Sequence, residues 1–271
     1  MAGGFTINDT PASATASAAD IAAAFAGDAE AAADLVTALG VAGDPGLPTS
    51  GLAALWRASD LSLADGDPVA SWAPGVGSPG SLTAAGTARP TYRAHGSPSG
   101  GACVEFDGSD DVLALGSPSG LPTGAGAGTM VAIVSRVPAG NGIRHIAIFG
   151  AAATDQARGI AANNGIWAAL EYVTLASGET ASPRTVAGCV LGHWYDGSTR
   201  KLFLDGAPIA SSSTTLNTGT TRIAVGRGLT EDYGGERCNF RLMALAVYSR
   251  ALTDADWAQV MKHARAAHGV R

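Results

Sequence analysis

Residues 201–206 read Lys201-Leu202-Phe203-Leu204-Asp205-Gly206, and the run before them reads Gly192-His193-Trp194-Tyr195-Asp196-Gly197. Between the two lie Ser198-Thr199-Arg200, and after the second Asp-Gly comes Ala207-Pro208-Ile209-Ala210. Asp-Gly supplies the positive φ that tight hairpin turns require. Strand alternation sends Leu202 and Leu204 to one face and Lys201 and Phe203 to the other. The pattern is that of consecutive antiparallel strands with one face buried and one wet.

Working outward, the same signal recurs. Leu52–Ala58, Val69–Trp72 and Pro90–Arg93 are short strand candidates, and residues 102–115 read as strand, turn, strand around Asp107-Gly108-Ser109-Asp110-Asp111. Thr129–Val137 is a long strand with Val131, Ile133 and Val137 on one side, and Arg144–Phe149 continues with Ile146 and Ile148. Over Gly165–Thr174, Ile166, Ala168, Leu170 and Tyr172 share one face, and Trp167 and Glu171 share the other. Arg222–Gly226 and Phe240–Tyr248 complete the set. Many short strands between turn signals read as a sandwich or barrel. Thr253 then caps a terminal helix, with Asp254 and Asp256 in its first turn and an apolar stripe of Trp257, Val260, Met261 and Ala264. His263, Arg265 and His268 are expected at its surface.

Residues 1–46 are different. They are Ala-rich and favour helix, but their large apolar residues are few, chiefly Ile21, Phe25, Leu35 and Leu39. Such helices are marginal alone and call for a partner surface. A Gly/Pro linker around Gly43–Pro48 separates this segment from the β region.

The chain has 271 residues, 37 of them Gly, with 46% hydrophobic and 15% charged residues and a net charge of −6. That composition suits turn-rich β structure and argues against a nucleic-acid binder, which needs a basic face. No apolar run approaches the about 18 residues that span a membrane. Arg57 is the first basic residue, so the start does not read as a secretory signal. Cys103, Cys189 and Cys238 are too far apart for a CxxC motif; they are expected as buried or free thiols, or with a single Cys103–Cys238 bridge.

Phe106-Asp107-Gly108-Ser109-Asp110-Asp111, Tyr195-Asp196-Gly197, Leu202-Phe203-Leu204-Asp205-Gly206 and Val247-Tyr248-Ser249-Arg250-Ala251-Leu252-Thr253 occur in that order. The series resembles the laminin-G-like, concanavalin A-like jelly-roll superfamily over residues 50–271. One departure is that Phe240 is followed by Arg241-Leu242-Met243, where the family usually has Gly. The resemblance implies two stacked antiparallel sheets, here an all-β jelly-roll domain over 47–271 with a short C-terminal helix. It does not imply one function.

Glycoside hydrolysis needs two carboxylates about 5–10 Å apart, and the family's hydrolases carry a Glu-x-Asp-x-x-Glu strand that is missing here. Glu105 shares a strand with Asp107, but Asp107 reads as part of the turn; Glu171 is alone on its strand, and Glu231, Asp232 and Glu236 lie in a Gly-rich loop. His145 and His193 read as sheet-face histidines. Asp107, Asp110 and Asp111 are dense enough to hold a hard cation such as calcium; the simpler reading is a turn in which Asp side chains bond their own backbone. Trp167, Trp194 and Tyr233 are the aromatic candidates for stacking on a sugar, whereas Trp56, Trp72 and Trp257 read as core.

We therefore expect a non-enzymatic jelly-roll module on a bacteriophage virion, as a minor tail or head decoration protein, presented for host-surface or glycan binding. The fold is one of extracellular recognition, no export signal is read, and particles leave cells by lysis. Segment 1–46 would anchor the module to other virion proteins or to copies of itself. The alternatives are a cellular carbohydrate-binding, lectin-like protein and a degenerate glycoside hydrolase.

Overall fold

Short alternating runs between Gly and Asp turns fold as strands. The computed structural model describes residues 46–137, 142–163, 166–170, 175–177, 188–230 and 237–270. All of these belong to Pro45–Arg271, the second of two units into which the chain divides. Ile21, Phe25, Leu35 and Leu39 lie outside the described residues, as do Glu171, Tyr172 and the loop carrying Glu231, Asp232, Tyr233 and Glu236.

The strands are β1 (Leu52–Arg57), β2 (Ser71–Trp72), β3 (Leu82–Thr83), β4 (Thr91–Arg93), β5 (Cys103–Asp107) and β6 (Leu113–Gly116). Then follow β7 (Gly128–Ser135), β8 (Ile143–Gly150), β9 (Ala157–Asn163), β10 (Ile166–Leu170) and β11 (Leu175–Ser177). The last are β12 (Cys189–Tyr195), β13 (Thr199–Leu204), β14 (Ala207–Ser213), β15 (Arg222–Val225) and β16 (Asn239–Tyr248), before helix α1 (Asp254–His268).

They form two antiparallel sheets. The first runs β14-β13-β12-β7-β16-β5-β4, with β1 also on β16. The ten-residue β16 can hold both because β5 pairs with Asn239–Leu242 and β1 with Ala244–Tyr248. The second runs β11-β10-β9-β8-β15-β6-β3-β2. This is the two-sheet sandwich that the alternation predicts.

Between the sheets lies the main core, with Trp56, Trp72, Phe106, Met130, Phe149, Leu191, Leu202 and Phe240. Phe106 and Phe240 face each other in register and stack with centroids 4.7 Å apart. Trp56 and Trp72 are core, as expected. The strand read through Val137 ends at Ser135, where Arg136 adopts φ 56, and Val137 turns into the main core while Val131 and Ile133 face outward.

The helix lies on the outer face of the first sheet. Trp257, Val260, Met261 and Ala264 pack on Val131, Ile133, Phe203 and Ala246. Burial on both faces is why every residue of β7 is buried. Contrary to expectation, His263 and His268 are buried, edge to face at 5.3 Å, because the helix sinks its last turns as well as its stripe. The Cys103–Cys238 bridge does not form. None of the three cysteines is in a disulfide, and all are buried, Cys103 under the helix and Cys238 between the sheets. No helix among the described residues is long and apolar enough to cross a membrane.

Candidate functional site

The two outer faces of the sandwich differ, and the difference begins in the Ser249–Asp256 connection. The Thr253 hydroxyl accepts the Asp256 backbone N–H, and the Asp256 carboxylate accepts the Thr253 N–H in return, closing a capping box. Arg250 grips the same carboxylate with two N–H groups at 2.6 and 2.7 Å and donates to Ser50 O at 2.8 Å. The Arg250 bonds, and then those of Thr253, hold the Asp256 carboxyl well below its ordinary range. The helix is thereby fixed to the first sheet and closes that face.

The second sheet keeps small residues on its outer face. Ala114 of β6 pairs with Ala224 of β15, and Arg222 of β15 sits between Gly116 of β6 and Gly150 of β8. Above them opens a cleft of about 970 Å³. A Cβ on Gly116 would meet nothing within 4 Å, so the floor is open there, whereas one on Gly150 would strike Gln156 O at 2.2 Å. Thr83, Thr221, Thr230, Arg222 and Arg227 line the walls, with the Thr230 hydroxyl itself buried. Nη1 of Arg222 donates to Leu229 O at 3.3 Å, which ties the strand to the turn beyond it. Among the described residues lining the cleft, none is acidic and none is aromatic.

The residues singled out in the sequence do not gather at this cleft. Trp167 is fully buried in the main core, which overturns its assignment as a sugar platform. Alternation separates it from Ala168 but does not say which of the two faces points inward. Trp194 is half-buried on the first sheet, donates to Leu252 O at 2.9 Å, and has Lys201 Nζ 4.7 Å from its ring centroid. It braces the helix start. Tyr233 lies outside the described residues.

Asp107, Asp110 and Asp111 do come together, with ligand atoms within 4.8 Å of one another. The carboxylate oxygens of Asp107 and Asp111 serve the turn. Asp107 accepts from the Ser109 and Asp110 N–H groups, Asp111 accepts from the Asp107 N–H at 2.7 Å, and Arg237 donates to Ser109 O. Burial, with Asp107 and Asp110 close by, pushes the Asp111 carboxyl up to about 6. Although burial opposes it, those backbone bonds hold Asp107 below its ordinary value.

Other ionisable groups are engaged elsewhere. Glu105, on the first sheet, binds Arg93 at 3.2 Å and Arg241 at 2.5 Å. His193 points into the sandwich and is fully buried. Burial first, and then Arg158 and Arg200, keep it neutral by holding it well below its ordinary value. Arg158 is buried too, bonded to Thr218 Oγ1 at 2.7 Å and Gly126 O at 2.5 Å, with its guanidinium 5.0 Å from the Tyr195 ring centroid. These groups hold the interior together and do not reach the cleft.

No family model matches the sequence, and no curated protein matches it. Solved structures do show the fold. Over 83% of its length the chain is similar to a sialidase of Trypanosoma rangeli, at 14% identity and a TM-score of 0.56, and it spans about a third (34%) of that protein. It is similar over 78% of its length to domain 4 of AbnA, an extracellular GH43 arabinanase of Geobacillus stearothermophilus solved with arabinotriose, at 16% identity and a TM-score of 0.56, covering 98% of that domain. It is also similar over 69% of its length to the binding domain of Paraclostridial Mosquitocidal Protein 1, at 13% identity and a TM-score of 0.51, covering 50% of that chain. At these identities the likeness shows the fold alone, a two-sheet antiparallel β-sandwich.

Proposed function

We propose that residues 47–271 form a non-catalytic glycan-binding module whose ligand lies in the cleft over β6 and β15. The observation that carries this is the asymmetry of the sandwich: one outer face is closed by α1, and the other keeps a cleft of about 970 Å³ floored by Ala and Gly. Shallow clefts of this size suit a short stretch of saccharide. The similar arabinanase domain holds a saccharide, which supports the reading.

The test is affinity electrophoresis on a panel of polysaccharides with the unaltered chain and Gly116→Leu. Gly116 has open space around its Cβ position and needs no positive φ, so a leucine fills the cleft without straining the strand. The expected result is loss of retardation with an unchanged melting temperature. Undiminished binding by Gly116→Leu would place the ligand elsewhere.

For the carrier we propose a virion, as a minor tail or head decoration protein, with segment 1–46 as its attachment. Repeated display on a particle would give weak cleft binding its avidity.

A further inference from the structure

We infer that β14 is a self-association edge: two copies of this chain pair their β14 strands antiparallel about a two-fold axis and continue the first sheet from one protomer into the next. β14 (Ala207–Ser213) ends that sheet and is bonded on one side only, to β13. Among the described residues, no further backbone hydrogen bond reaches residues 207–213. Ala207, Pro208, Ser211 and Ser213 are exposed. The other sheet ends are closed or short. The free side of β4 is bonded to Gly66 and Asp67, and that of β1 to Gly75 and Val76. β2 has two residues and β11 three. A long bare edge is a template for another strand, and proteins commonly blunt one with charge, proline or a covering loop.

The occupant follows from the make-up of the edge. The chain carries a net charge of −6, yet Ala207-Pro208-Ile209-Ala210-Ser211-Ser212-Ser213 has no charged residue, so two copies can meet here without like charges facing across the pair. Lys201, opposite Ser211 in the register, is drawn away from the edge. Its Nζ lies 4.7 Å from the ring centroid of Trp194, on the far side of β13. Pro208 has no N–H to give and sits by the bulge between Leu202 and Phe203, which leaves Ile209–Ser213 as the stretch free to pair. Antiparallel self-pairing of that stretch centres on Ser211, with Ile209 opposite Ser213 and Ala210 opposite Ser212. The two-fold of such a pair stands perpendicular to the sheet. Both helices α1 then face one side and both clefts of the second sheet face the other, so the dimer presents two clefts together.

The experiment is sedimentation equilibrium of the full chain over a range of concentrations, with cross-linking of Ser211→Cys. The mass should rise from that of one chain towards that of two as the protein is concentrated. Ser211→Lys sets like charges across the axis and should hold the mass at one chain, with an unchanged melting temperature because Ser211 is exposed. If that variant fails to fold, Ser213→Lys, also exposed, carries the same test. Ser211→Cys should give a disulfide-linked dimer on mild oxidation, absent from the unaltered chain, whose three cysteines are buried. A single-chain mass at every concentration overturns the inference. Association that the lysine variants leave unchanged also overturns it, because the contact then lies elsewhere in the chain.

Discussion

At Gly192 a Cβ would lie 2.2 Å from Cη2 of Trp257, so the missing side chain is the seat of the helix's largest residue. Trp257 also stacks on Phe203 at 4.4 Å and is 2% exposed. Trp257→Ala should therefore cost about 3–5 kcal/mol, and Gly192→Val about 1–3 kcal/mol by overpacking; chemical denaturation measures both, and unchanged midpoints would show that the contact is not core. Asp111 gives a pH-dependent test. Its folded pKa, raised to about 6, lies above its unfolded value, so its contribution to stability is fully present below about pH 4 and is lost as pH rises through about 6. Asp111→Asn should then gain about 1–3 kcal/mol on the wild type at neutral pH, with the gap closing in acid. The same denaturation curves with and without calcium test the metal reading. The turn's own bonds predict no shift, and a calcium-dependent rise abolished by Asp111→Asn would make the three carboxylates a cation site.

The connection from β16 to α1 works as one element. Arg250 joins the helix cap to Ser50 in the turn before β1, so the motif Ser249-Arg250-Ala251-Leu252-Thr253 is a clamp between the two ends of the domain. Arg250→Ala should destabilise by about 1–3 kcal/mol. The folded pKa of Asp256 is depressed, so the stability it supplies is present above the unfolded value and lost as pH falls below about 4. The variant should flatten that acid limb, which urea midpoints at several pH values will record. The clamp was legible as a motif because its parts are neighbours in the chain. Its bond to Ser50 was not, because that contact joins residues 200 apart.

For the whole molecule, deletion of residues 1–43 should leave a folded sandwich, since the described core draws only on residues from Leu47 onward. If segment 1–46 is the attachment, the truncated protein no longer co-sediments with particles. Assembly by the truncated chain as efficient as by the full one would end the anchoring proposal. The module should also release no reducing ends from common polysaccharides. Hydrolysis lost in Glu105→Gln or Glu171→Gln would overturn the non-catalytic reading.

Local chemistry in the sequence was enough for the strands, the Asp-Gly turns, the Thr253 cap and the helix stripe, because each depends on residues within a few positions of one another. Strand alternation alone puts Leu202 and Phe203 on opposite faces; the structure then sets Leu202 in the main core and Phe203 under the helix. Tertiary structure decided what alternation leaves open. It chose which face of β10 points inward, burying Trp167, and it seated Trp257 in the space above Gly192. It also paired Arg222 with Gly116 on one side and Gly150 on the other. Four separate stretches of chain, 83–88, 112–116, 150–152 and 221–230, line the cleft, and that register is fixed by the packing of two whole sheets, which no single run of residues encodes.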